Sequence, residues 1–233
     1  KKELHRYRIT GLGQQKTVRD RFLEEFIYHS NSLSGNTMSL SDTRMILAGK
    51  TMAQKPLKDL LEIIGHKEAF EYVEKMAEER AKLSEKLICE IHARILVDKW
   101  EERGRYRESS ISLPAAMNES AEAKEIPLLM EELIKKHAER KKKMHAIEAN
   151  AVFHIEFQEI HPFIDGNSRT NRMILNFFLI EDGYFPICIK KEEKEIYQEA
   201  FQKYHENGDA SSMVFLIAEH LREEIGGYLN LQK

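Results

Sequence analysis

Between residues 161 and 172 the chain reads HPFIDGNSRTNR, which brings a histidine, a carboxylate and two arginines into one short stretch. Pro162 cannot continue a helix and pushes the residue before it out of the helical region, so His161 is expected at the mouth of a helix end, where an imidazole can act as general base. Asp165, Gly166, Asn167 and Ser168 tolerate tight or left-handed backbone directly before a new helix. Their successive N–H groups, added to the partial positive charge of a helix N-terminus, form a nest for an anion. Arg169 and Arg172 follow at a spacing that puts both guanidinium groups on one face of the first turns. Cations there oppose the helix dipole at about 0.3–1 kcal/mol each unless an anion sits between them and the amides. Their placement therefore points to phosphate, with Asp165 as the natural ligand for Mg²⁺ carried on it. Taken singly, each residue has a plain structural role as helix end, turn or surface charge; together they suggest phosphate-transfer chemistry.

The elements that must hold this stretch are helices. Only 5 prolines and 11 glycines occur, and they fall between runs whose apolar residues recur at helical spacing. The spacing predicts helices over 14–30, 41–49, 56–78, 83–99, 127–141, 145–160, 168–181, 193–206 and 210–224. Apolar residues wrap most of the circumference of 145–160 and of RMILNFFLI in the next helix, so both are expected to be buried among neighbours, joined by the polar stretch above. The segment from Tyr106 to Glu125 breaks the pattern, with its serines, Pro114 and a short alternation around Ile111 and Leu113. It reads as an extended arm or hairpin. The basic run Arg140 to Lys143 reads as a solvated helix end.

Composition narrows the classes. A chain of 233 residues with 42% hydrophobic and 32% charged residues can bury a core and is neither a disordered tail nor a membrane protein. The net charge of −3 provides no overall field for nucleic acid or anionic lipid, and no basic recognition helix supports a DNA-associated regulator. Neither nucleic acid nor membrane is expected as a partner. Cys89 and Cys188 lack metal or redox spacing and are too few for a disulfide framework, so a reducing, cytoplasmic setting is the simpler expectation. The sequence opens at Lys1 rather than methionine, as in a trimmed or processed chain.

The string His161, Phe163, Asp165, Gly166, Asn167, Ser168, Arg169, Arg172 resembles the signature of Fic-domain proteins, H-x-F-x-[D/E]-G-N-G-R-x-x-R, at every named position except Ser168. The resemblance covers roughly residues 56–225. It implies an all-α fold, a Fic-type helical bundle with a short β-hairpin flap, divided here as an N-terminal segment 1–52 and a Fic core 53–233. The implied activity is transfer of AMP from ATP, with Mg²⁺, to a hydroxyl of a Ser, Thr or Tyr on a target protein, which can be the protein itself. Self-association is common in the family, so a homodimer belongs to the same expectation. By carry-over His161 is the base, Asp165 holds Mg²⁺, and Asn167 with the backbone of Gly166 and Ser168 cradles phosphates. Arg169 and Arg172 grip the polyphosphate, and Phe163 packs under the loop. Ser110, Ile111, Ser112 and Leu113 look like the flap that lines up the target's main chain.

Two departures follow from that resemblance. Ser168 stands where the family has a glycine that approaches phosphate closely and takes positive φ, so its β-carbon crowds the pocket, although serine can also cap the following helix. A nucleotide-binding regulatory module with little turnover, or use of another nucleotide donor, is the alternative this substitution raises. Many family members also carry an inhibitory helix, [S/T]-x-x-x-E-[G/N], whose glutamate pairs with the second arginine. Here HSNSLSGNT matches with Ser30, Ser34 in the glutamate's place, Gly35 and Asn36. Serine brings no carboxylate to Arg172, which leaves that arginine available to ATP and implies a de-repressed enzyme.

Overall fold

The computed structural model describes residues 12–50, 52, 54–109 and 121–230. Nine α-helices occur among them: α1 Leu12–Leu33, α2 Leu40–Leu47, α3 Leu57–Glu78, α4 Glu85–Ile95, α5 Ile126–Arg140, α6 Ala146–Ile160, α7 Asn167–Glu181, α8 Lys194–Asn207 and α9 Ser211–Asn230. No strand occurs among the described residues, and the expected hairpin at Ser110 to Leu113 lies outside them. No helix among them is long and apolar enough to cross a membrane.

Helices α6 and α7 stand at the centre, which accounts for their apolar residues all round. One face of the pair, with Phe153, Phe157, Ile174, Phe177 and Phe178, packs into a cluster built with Phe26 and Ile27 of α1, Ile63 and Phe70 of α3, and Ile88 and Ile91 of α4. The opposite face, with Ala151, Ile155, Leu175 and Leu179, packs on Tyr197 and Ala200 of α8 and Met213 and Ile217 of α9. With apolar partners on both sides, α7 is buried from Arg169 to Leu179, and α6 keeps only a narrow outer row through Glu148, Val152, Glu156 and Glu159. Their six-residue connection is therefore anchored at both ends in the core.

Two helix ends differ from the spacing. The fourth helix stops at Ile95 rather than running to 99, because Leu96 leaves the helical region (φ −97, ψ 65) and the chain folds back through residues 97–105 toward the α6–α7 connection. That return brings Val97 against Gly65 of α3, where an added Cβ would lie 2.3 Å from the Arg94 carbonyl oxygen. The last helix runs on to Asn230, through Gly226 and Gly227. Glycine costs about 1 kcal/mol in a helix interior but does not by itself stop one.

The approach of α3 to α4 makes Gly65 a test of the packing. The Arg94 carbonyl is backbone and cannot rotate aside, so Gly65→Ala must push the two helices apart, at a cost of about 1–3 kcal/mol. The urea midpoint is expected to fall with the m-value unchanged; an unaltered midpoint would show that the helices are not held this closely.

Candidate active site

The connection from α6 to α7 satisfies its own backbone. His161 ends α6 in the left-handed region (φ 50, ψ 62), with its N–H donating to the Phe157 carbonyl at 3.1 Å. Gly166 takes the second left-handed turn (φ 74) as the N-cap of α7, and no side chain caps that helix. Between them Asn167, 2% exposed, makes a reciprocal pair with Phe163: its Oδ1 accepts the Phe163 N–H at 2.8 Å, and its Nδ2 donates to the Phe163 carbonyl at 2.7 Å. The Asn167 amide is thus spent inside the loop. What α7 presents outward is the row of backbone N–H groups that open it, before the Thr170 N–H returns to the Gly166 carbonyl.

Phe163 is fully buried beneath the loop and stacks on the His92 ring, with centroids 3.7 Å apart and planes 6° from parallel. The sequence did not single out His92, yet it fixes the loop from below. Its Nδ1 accepts the Gly104 N–H at 2.8 Å, so its Nε2 carries the proton and donates to the Asp165 carbonyl at 3.0 Å. Burial pushes this imidazole down to about 4, which keeps it neutral in that tautomer.

His161 stands at the edge of the site. Its ring is partly buried with Nδ1 enclosed, and burial pushes its pKa down to about 4. Arg107, 4% exposed, donates from Nε to the His161 carbonyl at 2.9 Å and from its two terminal nitrogens to the carbonyls of Ser109 and Ala121. It therefore ties both residues flanking segment 110–120 to the backbone of His161. Ser110, Ile111, Ser112 and Leu113, expected to form the flap, lie within that segment and outside the described residues.

Asp165 is about one-third exposed. Burial would raise its carboxyl, but Lys99 Nζ at 3.0 Å, Arg169 and the Gly166 N–H at 2.6 Å together hold it below the usual carboxylate range. Lys99 is another residue the sequence reading passed over, because it lies in the turn that had been expected to be helix.

The two arginines, both 3% exposed, are treated differently by their surroundings. Arg169 pairs with Glu62 of α3 at 2.8 Å and lies 3.6 Å from Asp165. Arg172 meets only neutral groups: it donates from Nε to Ser30 Oγ at 2.8 Å, and from NH2 to the Ser30 carbonyl at 2.6 Å and to Ser34 Oγ at 2.9 Å. On its other side lies the Tyr197 hydroxyl, itself bonded to His154 Nε2 at 2.6 Å. Among the described residues no carboxylate pairs with Arg172. A buried cation without a counter-charge is costly, and an anion arriving at the opening of α7 supplies one.

The N-terminal residues set apart in the sequence gather here. Ser30 and Ser34 touch Arg172 from the end of α1, Gly35 turns the chain with φ 93, and Asn36 donates to the Asp59 carbonyl at 3.0 Å and to Glu62 Oε2 at 2.8 Å. With serine at position 34, Arg172 is held by hydroxyls and a carbonyl and by no carboxylate among the described residues. Ser168 also differs from expectation. It lies inside α7, so the position needing positive φ is Gly166; its hydroxyl bonds Gln158 Oε1 at 3.3 Å and caps nothing.

Residues 82–179 match the Fic/DOC family. The chain is 31% identical over 226 residues to the protein adenylyltransferase Fic of Nematostella vectensis, covering 94% of this chain and 51% of that protein. It is equally 31% identical to the protein of the same name from Drosophila ananassae over 209 residues, 88% of this chain and 41% of that one. The chain spans about half the length of these curated relatives or less. Among solved structures, a Fic-domain signalling protein from Bacteroides thetaiotaomicron superposes with a TM-score of 0.90 at 26% identity, covering 97% of this chain and 94% of the other.

The Phe163–Asn167 pair predicts a graded loss of stability. Asn167→Ala strands a buried N–H and a buried carbonyl, roughly 1–3 kcal/mol each. Asn167→Asp keeps an acceptor for the Phe163 N–H and should fall between alanine and wild type in urea unfolding. Equal stability of all three would show that the loop is held by other contacts.

Proposed function

Because the chain carries a Fic/DOC-family domain across residues 82–179, we propose that it transfers AMP from ATP to a side-chain hydroxyl of a target protein. The observation that carries this reading is Arg172, a buried guanidinium without a carboxylate, in a helix whose opening N–H groups no side chain caps. The name protein adenylyltransferase borne by relatives at 31% identity supports it.

Enclosure of Nδ1 leaves His161 Nε2 as the nitrogen that can meet an incoming hydroxyl. Nε2 takes the hydroxyl proton while the oxygen forms a bond to the α-phosphorus, and the bond from that phosphorus to the bridging oxygen breaks, releasing pyrophosphate. Little covalent chemistry falls to the protein beyond this proton, so positioning and charge neutralisation carry the rate. The α7 amides and Arg172 hold the phosphates, with Arg169 behind them. Phe163 and Asn167 keep the loop in shape for that contact.

Asp165 fits the part of a Mg²⁺ ligand: it is held ionised, partly exposed, and placed at the opening of the nest. No group of three His, Cys, Asp or Glu among the described residues could hold a metal alone, which accords with an ion completed by phosphates and water. Bound there, Mg²⁺ would neutralise phosphate charge, with Asp165 as its protein ligand.

We assign Ser30, Ser34, Gly35 and Asn36 a regulatory place. Ser34 reaches Arg172 where a carboxylate would form an ion pair, and its hydroxyl can yield to a phosphate far more readily than a charge could. The activity is accordingly de-repressed.

Incubation with α-labelled ATP and Mg²⁺ tests the reaction: label should appear on the protein or on a lysate target and be lost in His161→Ala. The pKa of His161 sets the pH dependence. Burial disfavours the charged imidazole, so the neutral base persists down to about 4, and kcat/KM should stay level from about pH 8 to about pH 5; a break near the ordinary histidine value of about 6.5 would overturn this assignment. Ser34→Glu places a carboxylate on Arg172 and is expected to cut labelling at least about tenfold. Undiminished labelling would remove Ser34 from the regulation.

A further inference from the structure

The two motif arginines differ in their counter-charge, and the difference comes from outside the motif. Glu62 lies on α3, 6% exposed, one turn before His66. One of its oxygens stands 2.8 Å from Arg169 NH1; the other accepts the Asn36 amide at 2.8 Å. Asn36 belongs to the turn closing α1, where its own Oδ1 accepts the Met38 N–H at 3.0 Å and Ser34 reaches Arg172 two residues earlier. A single buried carboxylate therefore touches both the first motif arginine and the turn after the helix that touches the second.

Among the described residues no other carboxylate lies as close to Arg169. Asp165 is its other carboxylate, at 3.6 Å, and that group is already engaged by Lys99 at 3.0 Å. The ring of His66 lies behind both arginines, is fully buried, and is kept neutral by burial and by their charges, so it provides no counter-charge. Without Glu62, Arg169 is a buried cation left with the more distant Asp165 alone, itself shared with Lys99, and its guanidinium loses the contact that fixes its orientation.

We propose that Glu62 is a positioning residue of the anion site: it fixes the orientation of Arg169 and, through Asn36, couples that orientation to the docking of the α1 end on Arg172. The two arginines then have distinct work. Arg172 supplies the uncompensated charge to the incoming phosphate, whereas Arg169 is a compensated cation whose value lies in where it is held. Glu62 itself touches no substrate. The consequence for ATP rests on the nucleotide reading above; the effect on Arg169 does not.

Two measurements keep these apart. In the protein without nucleotide, the Arg169 Nη–H resonances are expected to be shifted by the Glu62 carboxylate and protected from exchange with water, and to lose both properties in Glu62→Ala and in Glu62→Gln, which keeps an acceptor for Asn36. An unchanged Arg169 signal overturns the proposal whether or not ATP binds. In calorimetric titration with ATP and Mg²⁺, Glu62→Ala is expected to weaken binding by about tenfold or more, the scale on which loss of an outer partner is felt at an ordered site. Added to Arg169→Ala it should cost little further. Binding as tight as wild type, or losses that add in full, would overturn the positioning role. If Glu62→Ala does not fold, Glu62→Gln serves in the same cycle. Asn36→Ala should shift the Arg169 signal in the same direction, and no shift there would sever the link to α1. Failure of the wild-type protein itself to bind ATP would instead defeat the nucleotide reading, leaving the Arg169 resonance to decide on Glu62.

Discussion

A loop squeezed between two core helices needs partners for its buried N–H and carbonyl groups, and at its centre the reciprocal pair between Asn167 and Phe163 supplies one of each. The two residues bond through both amide groups of one and both backbone groups of the other. Because the loop closes on itself there, Gly166 can turn left-handed, α7 can begin with its amides uncapped, and Phe163 can drop onto the His92 ring. Buried polar groups left without partners cost about as much as the hydrogen bonds they lack, so the same pair fixes geometry and avoids a penalty. The remaining supports of the site all grip this closed loop from outside: His92 by the Asp165 carbonyl, Arg107 by the His161 carbonyl, Lys99 by the Asp165 carboxylate.

Those supports explain how a chain of net charge −3 can concentrate positive charge at one loop. The field is local. Arg107 and Arg172 are each buried with neutral acceptors and no carboxylate among the described residues, while Lys99 and Arg169 are held by Asp165 and Glu62. The uncompensated pair flanks the loop, one on the carbonyl of His161 and one at the opening of α7. In surroundings of low dielectric such charges act over the whole site and are worth more than the same charges on a wet surface.

The helices and the turns of the loop were legible in the sequence because both depend on neighbours along the chain. The apolar periodicity placed all nine helices, and the two wrapped all round proved to be those with partners on both faces. His161 left the helical region, as Pro162 required, and Gly166 took the positive φ. What could not be read is the set of residues that act across long separations. His92 meets Asp165 across 73 positions, Lys99 meets it across 66, and Arg107 meets His161 across 54. No local pattern announces such a contact. The early end of α4 belongs to the same class: the helix stops at Ile95 so that residues beyond it can return to the loop, a tertiary demand that overrides the propensity of the segment.

The end of α1 shows what a departure from a motif becomes in three dimensions. Loss of a glutamate at position 34 does remove the carboxylate from Arg172, but the arginine does not swing free, because Ser30 and Ser34 still satisfy three of its hydrogen bonds. A guanidinium bound to hydroxyls and a carbonyl keeps its full charge, whereas one bound to a carboxylate has lost it to the pair. The two serines thus hold the arginine in place while bringing no charge to offset its own. Contact at this position therefore orders Arg172, and the residue that makes the contact decides how much of the arginine's charge is left without a counter-charge.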